Sequence, residues 1–128
     1  MQQRISSEAL VDELRRLRER VMGVTESVVS TADGLLVAAD TVSVQPESLS
    51  ALAAATLALG RRTTAEAGLG SMRENVTRAG GGFVVVTAIG EHALLVVVGD
   101  EGLDVAALGR ECPGTVEALG RLLTAAAS

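Results

Sequence analysis

The chain of 128 residues has no lysine, no tryptophan and no tyrosine, and it carries one phenylalanine (Phe83), one histidine (His92) and one cysteine (Cys112). A single cysteine excludes an intramolecular disulfide. Without cysteine and histidine partners at ligand spacing, no metal site is expected. One aromatic ring offers no row of stacking surfaces for bases. The balance of 16 acidic against 11 basic residues, net −5, also runs opposite to what a phosphate backbone selects, so nucleic acid is not an expected partner. Long apolar runs are missing too. The stretches Ala51–Leu59, Phe83–Ile89 and Ala93–Val98 are too short to span a bilayer, and Met1–Glu8 lacks the apolar centre of a secretory signal. The expectation is a cytoplasmic protein without membrane insertion. Arginine supplies every basic side chain, and lack of lysine beside abundant Ala, Gly and Val is what a GC-rich bacterial genome is expected to encode.

What is present fits one domain over residues 1–128. A hydrophobic content of 48% is high for a surface of this size. Either the core is rich in Ala and Val or one face is covered by a partner, and the second reading is preferred.

Ser6 or Ser7 is placed to cap a first helix, with Glu8 in its first turn, and Leu10, Leu14, Leu17 and Val21 recur at helical spacing until Gly23. Glu26–Ser30 and Leu35–Ala39 read as strands joined at Asp33-Gly34, a strong hairpin signal. Pro46 suits the first position of a second helix that runs to about Ala67. This helix carries two stripes: Leu49, Leu52, Thr56, Leu59 and Thr63, which suit packing on a sheet, and Ala51, Ala54, Ala55, Ala58, Arg62 and Ala65, which would let another helix approach. The plainer reading of the second stripe is that Ala is a good helix former on an exposed face.

Gly68-Leu69-Gly70 breaks the helix, and Met72–Arg78 reads as a polar edge strand, with Arg73 and Arg78 guarding against aggregation or pairing across a dimer. After the Gly80–Gly82 turn, the runs Phe83–Ile89 and Ala93–Val98 are apolar throughout, as strands covered on both faces are. Leu103–Ala127 returns to helical spacing, with a kink or break expected at Cys112-Pro113-Gly114. The fold class is α/β: a three-layer α/β/α sandwich around a five-stranded, mainly antiparallel sheet, in the order helix-strand-strand-helix-strand-strand-strand-helix.

Catalytic chemistry needs convergent groups, and few are on offer. His92 falls in a turn, where solvation is its ordinary state, and Cys112 has no histidine near it in sequence. Gly68–Ser71 and Gly80–Gly82 lack the Lys-Ser/Thr ending of a phosphate-binding loop. Adjacent acids such as Asp12/Glu13 and Asp100/Glu101 diverge and read as solvated charge. No catalytic residues, cofactor or metal are expected, and the chain is read as a non-enzyme. Arg61-Arg62 near the end of the second helix suits the helix dipole.

From Glu8 to about Ala126 the chain resembles the roadblock (dynein light-chain roadblock-type) family. The resemblance rests on Leu10, Leu14 and Leu17 of the opening helix, on Val28-Val29-Ser30-Thr31-Ala32-Asp33-Gly34-Leu35-Leu36-Val37, and on the Ala-rich helix, polar strand, two apolar strands and closing helix that follow. The interruption at Pro113-Gly114 departs from the family's smooth closing helix. The resemblance implies a profilin-like fold and a homodimer built from the central helix and third strand. Ala51, Ala54, Ala55, Ala58, Arg62, Met72, Glu74 and Val76 are then the interface residues. It also implies a partner: in bacteria, a Ras-like small GTPase whose nucleotide cycle the dimer modulates by positioning the GTPase's own groups. A nucleotide-independent dimeric adaptor is the alternative, and a small-molecule sensor the third, disfavoured by the lack of pocket-forming aromatics.

Overall fold

Apolar periodicity and turn chemistry resolve into eight elements in the computed structural model, which describes the backbone of residues 2–127 and the side chains of residues 7–125. They are α1 (Gln2–Arg20), β1 (Val24–Thr31), β2 (Leu36–Asp40), α2 (Pro46–Glu66), β3 (Glu74–Ala79), β4 (Gly82–Ile89), β5 (Ala93–Asp100) and α3 (Val105–Ala127). The five strands form one sheet in the order β2-β1-β5-β4-β3, and every neighbouring pair is antiparallel. The expected order of elements and the sandwich both hold. Among the described residues, no helix is long and apolar enough to cross a membrane.

The two-residue period of a strand sends alternate side chains to opposite faces. In β5, Leu95 and Val97 join Val29 and Val85 beneath α1 and α3, which contribute Leu10, Leu14, Leu17, Leu108 and Leu119. Leu94 and Val96 join Val28 and Val86 on the other face, beneath Ala53, Ala54 and Leu57 of α2. Each fully buried aliphatic contributes about 1.5–3 kcal/mol. The runs in β4 and β5 are therefore apolar but for Thr87, because helices cover both of their faces.

At the α1–β1 corner the chain must reverse against the start of α3. Gly23 does this at φ +92°, so close to the backbone of Leu103 that no side chain fits. The Gly23 carbonyl accepts the Asp100 amide, and the Met22 carbonyl accepts that of Asp104. These bonds tie the end of α1 and the start of α3 to one end of the sheet.

Four expectations need correction. α1 begins at Gln2, so Ser6 and Ser7 lie inside it and do not cap it. β3 starts at Glu74, because the Met72 side chain fills the notch that Gly60 leaves in α2 and so pulls residue 72 out of the ladder. α3 passes through Cys112-Pro113-Gly114 without a break. Pro113 is exposed there, while Leu108, Cys112, Thr115 and Leu119 are buried, and the packing of that stripe offsets the backbone bond that proline cannot make.

The fourth concerns α2. Of the bulky stripe, Leu49 packs against the sheet, but Leu52 and Leu59 do not: they are 66% and 64% exposed, and the buried face is Ser50, Ala53, Ala54 and Leu57. The sheet already presents Val28, Val86, Leu94 and Val96 here, so small helix residues are what let the layers close to packing distance.

Candidate functional site

Two of the exposed apolar residues, Leu59 of α2 and Val76 of β3, lie where α2 passes over the open edge of the sheet. At 100° per residue, Leu52, Thr56, Leu59 and Thr63 share one stripe of α2, and Thr56, Leu59 and Thr63 border β3. A cleft of about 380 Å³ separates the two elements, lined by Thr56, Leu59, Gly60, Met72, Asn75 and Thr77. β3 pairs with β4 alone, so its outer backbone groups have no strand to meet.

The side chains of β3 divide between two faces. Asn75 lies beside Gly60 on the α2 side. Glu74 lies near enough to Cys112 of α3 for its charge to act on the thiol, and Arg78 sits 5.9 Å over the Phe83 ring, which packs against the α1/α3 core. Val76, between them, is 49% exposed. Glu74 and Arg78 are both exposed and, among the described residues, neither forms an ion pair.

Of the eight interface residues named from the sequence, Ala51, Ala55, Ala58 and Arg62 are exposed on α2, and Glu74 and Val76 are exposed on β3. Ala54 belongs to the core, and Met72 is half-buried in the notch at Gly60. Ala51 turns toward the β1–β2 turn, where a Cβ on Gly34 would lie 3.2 Å from its Cα. The cleft thus brings together Leu59 and β3, not the alanine stripe and β3. Sequence reasoning missed Leu52 and Leu59 because it assigned their stripe to the sheet. The signal that reassigns them is the bulk of the valines and leucines already on that sheet face.

A second residue that the sequence did not single out is Glu26. It is 4% exposed on β1, and its Oε1 accepts the amides of Val42, Ser43 and Val44 at 2.7, 2.7 and 2.9 Å. Oε2 accepts the Ser43 hydroxyl at 2.9 Å. Burial pushes this carboxyl up, and the four hydrogen bonds outweigh it, holding the group below the usual glutamate range. The clamp fixes the β2–α2 loop and with it the start of α2. On the other face, Arg18 donates to Asp40 at 2.7 Å and joins α1 to β2.

The residues weighed for chemistry stand apart. His92 is exposed in the β4–β5 turn. Cys112 is buried, and burial, aided by the charge of Glu74, pushes its thiol up against the opposing Thr87 hydrogen bond. Among the described residues no three His, Cys, Asp or Glu side chains gather as metal ligands would.

The Roadblock/LC7 domain profile matches residues 10–99. Among solved structures the chain is similar to an MglB in a tetrameric arrangement, at 23% identity over 94% of this chain and 92% of that one, TM-score 0.86. It is similar to a Roadblock/LC7 domain from Streptomyces avermitilis, at 25% identity over 88% and 95%, TM-score 0.80. It is similar as well to the gliding protein MglB of Thermus thermophilus, at 23% identity over 91% and 90%, TM-score 0.80. No curated protein sequence matches it. A five-stranded antiparallel sheet between one helix and two, shared along nearly the whole length of these neighbours, agrees with the profile match, and the chain belongs to the Roadblock/LC7 domain family.

Proposed function

We propose that this Roadblock/LC7 domain is a homodimer that binds a bacterial Ras-like small GTPase and modulates its nucleotide cycle without supplying chemistry of its own. One observation carries the dimer: an unpaired strand edge lies alongside an unpaired apolar helix flank, on the same side of the molecule. A two-fold axis beside β3 joins the two sheets and brings Leu52 and Leu59 of one α2 against those of the other, so both features are covered by one operation. The GTPase reading rests on the family's association with Ras-like GTPases. The dimer acts by ordering the GTPase's own loops.

The test is to immobilise the purified protein and pass bacterial lysate over it with a GTP analogue or with GDP. A Ras-like GTPase retained in one nucleotide state, whose hydrolysis or exchange rate then changes on adding the free protein, supports the regulator. Retention that ignores the nucleotide supports the adaptor instead. Retention of nothing removes the GTPase from the reading and leaves the dimer, which sedimentation equilibrium measures separately.

A further inference from the structure

β3 is six residues long, Glu74-Asn75-Val76-Thr77-Arg78-Ala79, and its end is fixed by the two-residue turn that sets Ala79 opposite Gly82. Such a turn is closed by a pair whose backbone groups face each other, and the ladder then alternates. Asn75, Thr77 and Ala79 therefore spend their amides and carbonyls on β4, and those of Glu74, Val76 and Arg78 point outward. A second antiparallel strand can bond only to those three. This restricts a self-paired β3 to registers in which one residue lies opposite its own copy across the two-fold axis.

Side-chain chemistry then chooses among them. Centred on Asn75, the register sets Glu74 against Val76 and leaves Arg78 beyond the overlap. Centred on Thr77, it sets Arg78 against Val76. Centred on Val76, it sets valine against valine, Asn75 against Thr77, and Glu74 against Arg78 twice over. Glu74, Val76 and Arg78 share one face of the strand, so the opposed charges meet side by side, and Arg78 is already held over Phe83. The strand reads the same, with complementary charge, in both directions.

We infer that β3 selects a second copy of this chain, pairing in the one register centred on Val76, in which Glu74 of each protomer faces the partner's Arg78. The inference rests on the dimer reading above and adds to it a code for which chain is accepted. A paralogue lacking an acid and a base four residues apart at this edge is refused, because it leaves one charge against a like or apolar neighbour.

The experiment compares the wild type, Glu74→Arg, Arg78→Glu and the double variant by sedimentation equilibrium and native mass spectrometry. Each single variant sets two like-charged pairs across the axis and is expected to raise the dimer dissociation constant about tenfold or more. Mixing the two single variants pairs every arginine with a glutamate and is expected to give a one-to-one heterodimer in preference to either homodimer. The double variant is expected to dimerise as the wild type does. A wild-type monomer overturns the dimer itself. A wild-type dimer whose single variants associate unchanged, or do not prefer each other, overturns the register alone. Val76→Cys supplies a check independent of charge: opposed cysteines at about 5.5 Å between Cα atoms are expected to cross-link on mild oxidation, whereas Thr77→Cys, facing Asn75, is not. Equal cross-linking of the two also overturns the register. Cys112, buried, does not compete.

Discussion

Glu26 holds Ser43 by two bonds at once: one carboxylate oxygen accepts the Ser43 amide at 2.7 Å and the other accepts its hydroxyl at 2.9 Å. Glutamine at position 26 keeps an acceptor but loses the charge and sets an NH2 against a donor, so Glu26→Gln is expected to cost about 1–3 kcal/mol in urea unfolding at pH 7. Because the folded carboxyl titrates below its ordinary value of about 4.5, its contribution is complete above that pH. It falls away as the pH drops through the lower folded value. The gap between wild type and Glu26→Gln should narrow from pH 5 to pH 3, and a gap that stays constant would count against the clamp.

The two faces of α2 should answer differently to substitution. Leu57 is 1% exposed, and Leu57→Ala is expected to cost about 2–4 kcal/mol of protomer stability. Leu59→Arg should change protomer stability by no more than about 0.5 kcal/mol and dissociate the proposed dimer. Ala58→Arg, on the flank away from β3, should leave the dimer intact. Sedimentation and thermal unfolding of the three variants separate these outcomes. Dissociation by Ala58→Arg but not by Leu59→Arg would return the contact to the alanine stripe.

Pro113 has no amide to offer the carbonyl of Gly109, yet it sits on the exposed side of a continuous helix. Pro113→Ala restores that bond without disturbing the buried stripe and is expected to stabilise the protein by roughly 1–3 kcal/mol. Thermal unfolding reads this as a rise in Tm. A fall would mean that the ring makes a contact the helix depends on.

Cys112 should be a slow thiol. Its side chain is buried and its pKa is raised, so at pH 7–8 little thiolate is present and little of it is reachable. An aromatic disulfide reagent should label it at least about a hundredfold more slowly than free cysteine, with full labelling in denaturant. Labelling at the free-cysteine rate would show that α3 opens readily from β4.

Most of the fold was legible in the chain because its strands and helices repeat their apolar residues at different periods. The β4 and β5 runs announced two-sided cover, and Asp33-Gly34 announced the hairpin. The site was less legible. α2 is apolar nearly all round, and periodicity identifies faces without saying which one meets the sheet; that was decided by Val28, Val86, Leu94 and Val96, which come from distant strands. Met72 continued the alternation of β3 in sequence while its side chain was filling the space above Gly60. Glu26 gave no signal because three of its partners are backbone amides, which every residue but proline carries. Pro113 gave a false one, because local propensity was outweighed by the packing of its neighbours.

β1 is the first strand made and one of the innermost in the sheet, paired on one side with β5 from Val24 opposite Gly99 to Thr31 opposite Ala93. A growing chain can form the β1–β2 hairpin early, but the other edge of β1 stays open until residue 100 has left the ribosome. For that interval the fold has neither of its cores, and the open edge of β1 is available to any neighbouring nascent copy. Synthesis of this protein therefore has a vulnerable window set by the distance between two strands that end up adjacent. Fast translation through β3 and β4, or a chaperone on β1, shortens that exposure.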